Sequence, residues 1–424
     1  MLMLFIFKIF EWISSLFYDF INKIVKKNMI DTLFGKNKYE EKHLKFIKNK
    51  YKKNKIKIGL LTNEIPPIVY GGVATWIVNF IKMFENDENM EVVPIFLAHQ
   101  DDLPEECYEK YKNIRVVDSK ENLKSQFDDI DICINNLWVA LDYITHLKYV
   151  CPTIPIISVC HSFIRMENIT NCGSIYTNNF IDQEKTFGES DCVVLISQSE
   201  LDKYNLFGYN IFDAKTAVIY NMYKPKYDNE EFDYDYSIKD VGYIGRCVPR
   251  KRPCMAVNAV NLLKLDEIKV TVMGVDKKNG SNEYWEKMEK KFSDILNVIY
   301  FTSDNNIIEN FYLNVCWIVI CGIYEPFGYT TLQAIDRGKP IIVGLIDGPK
   351  EIVKDIMKYI VTYEVDVDDY DNDVKNLSKA IEKANQLTTQ QKKYNAKMAR
   401  KCLDRFRPET IKPEWKNLIY DLLL

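Results

Sequence analysis

Glu325 stands in the segment Tyr324-Glu325-Pro326-Phe327-Gly328-Tyr329-Thr330-Thr331, between two apolar runs at 316–321 and 341–345. A carboxylate in such a loop accepts hydrogen bonds from hydroxyl groups, those of a sugar included. Gly328 permits close approach, and the backbone amides from Tyr329 onward open a short helix whose start favours a phosphate. Gln333 falls eight residues after Glu325, inside that helix, and Gly338 stops it as a left-handed cap would. A strand-to-helix loop with a solvated Glu is the plainer reading of the same residues.

A second set lies at 246–252. The run 241–245 ends in a glycine, and Arg246, Arg250, Lys251 and Arg252 put four cations into seven residues. Arginine offers a two-pronged fork and lysine a point charge, so the set suits a diphosphate. A solvated basic turn explains the lysine, but explains less well why Arg246 directly follows the strand glycine. Pro253 suits the first turn of a helix. In the first half, the run 56–62 leads through a Pro-rich loop to Gly71 and Gly72. Glycines at a helix start leave N–H groups open to an anion, and equally suit a tight turn of positive φ. His161 closes the run 154–160, with Ser162 and Arg165 just beyond. The carboxyl end of a parallel strand is the ligand side of a sheet, although a lone His there is more often a hydrogen-bonded rim residue. Asn221 ends the run 217–220 and suits a turn into the polar segment after it.

The elements that would carry these residues alternate. Strand-like runs fall at 56–62, 92–98, 114–117, 131–137, 154–160, 192–197 and 217–220, and again at 241–245, 269–274, 297–301, 316–321, 340–345 and 359–363. Val73, Trp76, Ile77, Phe80, Ile81 and Phe84 show the helical spacing of the stretches between them. Near-continuous apolar strands separated by helices predict an α/β fold with parallel sheets covered on both faces. A polar segment rich in Asp, Tyr and Lys at 224–240 divides the series. The expected domains are therefore 56–223, a linker at 224–240, 241–404, and a final helix at 405–424. The acidic residues Glu364, Asp366, Asp368, Asp369, Asp371 and Asp373 read as a solvated loop, because a calcium loop's glycine and terminal Glu are missing.

Composition narrows the class. The chain has 424 residues, 47% of them apolar, with a net charge of −4, which excludes general disorder and gives no support to nucleic-acid binding. Eleven scattered Cys without a Cys-x-x-Cys pair suit a reducing, cytosol-facing compartment, and four His without ligand spacing predict no metal site. Residues 1–25 are rich in Phe, Ile, Leu and Trp, interrupted at helical steps by Lys8, Glu11, Ser15, Asp19 and Asn22. The interruptions argue against a spanning helix and for an amphipathic one. Behind it, 23–55 holds twelve Lys against Asp31, Glu40 and Glu41, a net +9. Peripheral membrane contact through residues 1–28 is the expectation, with packing on a protein surface as the alternative.

In their order, these motifs resemble retaining glycosyltransferases of the GT-B fold, especially glycosyltransferase family 4, over residues 56 to about 424. The matching positions are Gly71 and Gly72, His161, the Val218–Asn221 strand end, Arg246 with Lys251, Glu325 to Gly328, and Gly338 with Pro340. The resemblance implies two Rossmann-like domains facing each other across a cleft, the first for an acceptor and the second for a nucleotide-sugar donor. It implies catalytic roles for Glu325, His161, Arg246 and Lys251. It implies donor binding by Gly71, Gly72, Arg246, Lys251, Glu325, Phe327, Gly328, Tyr329, Thr330 and Gln333. The implied partners are a UDP- or GDP-linked sugar and a glycan, lipid or protein-linked acceptor, with no cofactor or metal. One position departs: the family carries a second Glu where this chain has Gln333. A weakened, binding-only protein or an epimerase of the same fold is the alternative.

Overall fold

The computed structural model describes residues 55–98, 103–137, 140–171, 179–209, 213–228, 230, 232, 234–265, 267–275 and 282–424. The expected N-terminal amphipathic helix lies outside them. Among the described residues, no helix is long and apolar enough to cross a membrane.

The apolar runs become two separate sheets. β1 (Ile56–Thr62), β2 (Met90–Leu97), β3 (Arg115–Val117), β4 (Ile132–Asn135), β5 (Ile156–Cys160), β6 (Cys192–Leu195) and β7 (Lys215–Val218) pair in the order β3-β2-β1-β4-β5-β6-β7. β8 (Val241–Ile244), β9 (Val270–Val275), β10 (Leu296–Tyr300), β11 (Trp317–Ile320), β12 (Ile341–Gly344) and β13 (Val361–Tyr363) pair as β10-β9-β8-β11-β12-β13. Every neighbouring pair is parallel, with Ile58 opposite Ile132 in one sheet and Ile318 opposite Ile341 in the other. The reason is visible strand by strand. β4, β5, β6 and β12 are buried along their whole length, because helices cover both faces and no residue alternates toward water.

In each sheet the chain steps outward one way and then returns to the other side of the first strand. The order reverses between β1 and β4, and between β8 and β11. Loops leaving the carboxyl ends of such strands part in opposite directions and open a crevice. Glycines let the second crevice form. A Cβ on Gly274 (φ +111°) would fall 2.2 Å from the Gly245 carbonyl oxygen, so the ends of β8 and β9 touch backbone to backbone.

The tail runs from the second sheet to the first. After helices Tyr370–Asn385 and Thr389–Ala399, the helix Pro408–Leu423 brings Trp415 against the helix Gly72–Phe84. The Trp415 ring lies 5.7 Å from Trp76 and 5.1 Å from Phe80, and Lys412 Nζ lies 2.8 Å from Asp87 Oδ2. Most of the acidic run is exposed as a solvated loop should be (Glu364, Asp368, Asp369 and Asp371), and its last member departs from that expectation. Asp369 caps the helix Tyr370–Asn385, and Asp373 is fully buried, receiving Arg252 Nη1 at 2.5 Å. An arginine far away in sequence supplies the charge that lets a carboxylate go inside.

Candidate functional site

At the end of β8 the chain turns through Arg246 into a short 3-10 turn, Pro249–Lys251. Arg246 is exposed at that carboxyl edge. Lys251 pairs with Glu325, both only slightly open to solvent. Burial, then the charges of Arg250 and Arg246, push the Lys251 ammonium well below the usual lysine range. Such a lysine favours an anion beside it, and the chain provides Glu325 in contact and Glu167 close by. The other two cations of the cluster are used by the fold. Arg250 is buried; its Nη1 donates to the Tyr324 carbonyl at 2.9 Å and its Nη2 lies 3.2 Å from Glu167 Oε1. Arg252 donates to Asp366 O, Val367 O and Asp373. Of the four, only Arg246 is exposed, and Lys251 is held by Glu325.

The Glu325 loop is clamped from behind. Its amide donates to Asp347 Oδ2 at 3.2 Å, and Gly348 N donates to its carbonyl at 3.1 Å. Gly328 caps the helix Tyr329–Asp336 at φ +102°, where a Cβ would press on Pro349 at 3.1 Å. A side chain there would strain the backbone and push the helix start off its neighbour. Phe327 is buried, its ring 5.3 Å from Tyr329 and 5.5 Å from Phe406, so it holds the loop by packing. Tyr329 donates its hydroxyl to the Met222 carbonyl at 3.2 Å. Thr330 and the side chain of Gln333 remain partly open, and the Gln333 carbonyl accepts from Arg337.

On the first sheet, Gly71 caps the helix Gly72–Phe84 with φ 174°, which is extended backbone. The positive-φ turn that would have explained the glycines structurally is absent. A Cβ at either glycine would meet nothing within 4 Å, so both border open space. His161 follows β5, its Nε2 2.9 Å from Asn136 Oδ1 and its ring edge-on to Trp76 at 5.2 Å. Burial lowers the imidazole to about 3, so the ring is neutral at physiological pH. Arg165 does not reach the site: it pairs with Glu184 at 2.5 Å beneath the rings of Phe180, Phe207 and Tyr209. Asn221 is buried near the end of the first sheet, its Oδ1 without a hydrogen-bond partner among the described residues.

Tyr324 joins the two walls. Its hydroxyl donates to Glu200 Oε2 at 2.9 Å and accepts from Phe163 N at 2.8 Å and Ser162 Oγ at 3.3 Å. The residue before Glu325 thereby grips the two residues after His161. Lys203 continues the bridge, lying 3.2 Å from Glu200 and 2.7 Å from Asp347. Glu351 accepts from the amides of Gln198 and Ser199 at 3.0 and 2.7 Å, so a second-sheet carboxylate occupies the start of a first-sheet helix.

Residues 235–394, which carry Arg246, Lys251, Glu325 and Gln333, match the family described as Glycosyl transferases group 1. This segment, which holds the whole second sheet, is similar to that family. The similarity extends beyond it. An uncharacterized glycosyltransferase of Methanocaldococcus jannaschii, MJ1607, is 23% identical over 337 residues, covering 70% of this chain and 83% of the relative. Sucrose-phosphate synthase from Thermosynechococcus elongatus superimposes with a TM-score of 0.69 at 16% identity, over 87% of this chain and 99% of the other. Anabaena HepE, in complex with UDP and glucose, does so with a TM-score of 0.65 at 16% identity, over 86% and 99%. The fold is GT-B, two Rossmann-like units, as the sequence motifs imply. The candidate site residues come from the carboxyl ends of β1, β5, β8 and β11. The sequence suggests no role for Asn136, Glu200, Tyr324 or Asp347, and the diphosphate role it suggests for Arg250 gives way to a buried structural one. Of the four, Tyr324 alone carries a hint, by adjoining Glu325.

Proposed function

We propose that the protein transfers a sugar from a nucleoside-diphosphate sugar to a hydroxyl of a glycan, lipid or protein-linked acceptor, with retention of configuration. The observation that carries this reading is the convergence of Arg246, the Lys251–Glu325 pair and the start of the helix Tyr329–Asp336 at one sheet edge. Arg246 and Lys251 offset the charge that grows on the departing diphosphate as the bond to the sugar breaks. Glu325 accepts hydrogen bonds from sugar hydroxyls, and the amides of Gly328 to Thr330 hold phosphate oxygens. Phe327 shapes this loop from behind, and Gln333 holds the ribose. Gly71 and Gly72 leave room for the donor, and His161 meets the sugar. The two cations do the work of charge neutralisation, so no metal is needed in this reading. HepE binds UDP and UDP-glucose, which favours UDP over GDP as the carrier.

The test is a screen of UDP- and GDP-sugars that reads the free UDP or GDP released by purified protein. Arg246→Ala should lower release by about two orders of magnitude. Equal release from both proteins sinks the assignment of Arg246 to the leaving group. A second reading, a protein that holds nucleotide sugar without turning it over, draws on Gln333 alone. Calorimetric binding of UDP without release from any donor would favour it.

A further inference from the structure

His161 has a partner that no motif points to. Asn136 follows β4, in the strand that pairs with β5, and its side chain is buried. Its neighbour Asn135 is consumed by the fold, donating to Ser158 Oγ at 3.0 Å and accepting from Leu137 N at 3.0 Å. Among the described residues the Asn136 side chain makes a single hydrogen bond, to His161 Nε2 at 2.9 Å, and its buried Nδ2 meets no partner. Trp76 closes one side of the ring at 5.2 Å.

We propose that Asn136 is a positioning residue of the site: its carboxamide oxygen fixes His161 in the Nε2–H form, which leaves Nδ1 as an uncharged acceptor for a hydroxyl of the donor sugar. The inference rests on the proposed function for its ligand, but the pair itself does not. The donor sugar is the occupant because Ser162 and Phe163, next to His161, are bonded to Tyr324, next to Glu325. A carboxamide carries no charge at any working pH, so the ring gains a fixed tautomer without being drawn toward imidazolium. The charged groups on the elements around it do not compete. Glu64 lies in the loop after β1, Glu167 pairs with Arg250, and Glu200 is bonded to Tyr324 and Lys203; none hydrogen-bonds the ring among the described residues. Burial alone depresses the imidazole.

Nitrogen NMR of histidine-labelled protein tests the pair without any substrate. The chain has four His, and His161→Gln assigns the resonance. The parent ring should be neutral and Nε2–H from pH 5 to 9. Asn136→Asp places a carboxylate against it, and the ring should then titrate inside that range. Asn136→Ala should give a mixture of tautomers, and should raise the donor KM about three- to tenfold, the factor set by one neutral hydrogen bond. In Asn136→Asp, the pH profile of donor turnover should gain a limb at the pH where its ring titrates. A parent ring in the Nδ1–H form, or one that titrates near its ordinary pKa, overturns the proposal. So does an Asn136→Ala ring that keeps a single tautomer with an unchanged KM. If neither parent nor variants turn over any donor while the ring behaves as expected, the pairing stands and the proposed function falls. Asn136→Ala carries the test alone if Asn136→Asp does not fold.

Discussion

Gln333 occupies the helix face one turn beyond Tyr329, eight residues from Glu325, with its side chain partly open. A carboxylate there would accept ribose hydroxyls through charge-assisted bonds, where the carboxamide accepts through neutral ones. Gln333→Glu should tighten UDP binding by about 1–2 kcal/mol, about 5- to 30-fold in Kd, measured by calorimetry. Unchanged or weaker binding would mean that ribose lies elsewhere. The types of these residues were legible in the sequence, because a motif constrains which atoms are present. Their directions were not. Arg250 and Arg252 sit in the same basic run as Lys251, yet a 3-10 turn and a left-handed Arg252 (φ 47°) rotate them away into Tyr324 and Asp373. Asn136 was silent for another reason: an Asn after a strand reads as a turn former, and its partner His161 is 25 residues away.

The strands were legible as elements because parallel strands covered on both faces must be apolar throughout. The loops were not, since their contacts lie across the cleft. Tyr324 is the clearest case. Nothing in Tyr-Glu-Pro-Phe-Gly says that its hydroxyl will cross to Phe163 and Glu200. Tyr324→Phe keeps the ring and removes that link. It should cost about 1–3 kcal/mol in thermal or denaturant unfolding, because buried partners lose their bonds, and it should lower donor turnover by freeing the Glu325 loop. The loss has a pH signature. Burial raises Glu200 to about 7, against the pull of Lys203 and of the Tyr324 hydroxyl. The folded chain then keeps a proton that the unfolded chain releases above its ordinary value of about 4.3, so stability falls as pH rises through that window to about 7. Without the hydroxyl the carboxyl rises further and the fall steepens. A parallel drop in stability at pH 5 and pH 8 would argue against this account.

At the scale of the whole molecule, alternation of strands and helices forecasts two sheets, and two sheets form. How their carboxyl edges meet is set by side chains such as Glu351 and Lys203, which no periodicity encodes. Residues 1–28 bear on what surface the molecule works at. If they anchor it, full-length protein should float with anionic liposomes and protein lacking 1–28 should not, while the two retain equal donor turnover; equal flotation removes the anchor. The helix Pro408–Leu423 has a consequence of a different kind. Ribosomes make chains from the amino end, and Trp415, which closes over Trp76 and Phe80, is added long after them. The first-made half therefore waits with an aromatic face open to water until the helix Pro408–Leu423 is made. A chain cut short by a premature stop or a damaged message keeps that face exposed, and so carries a mark that chaperones and proteases read as unfinished.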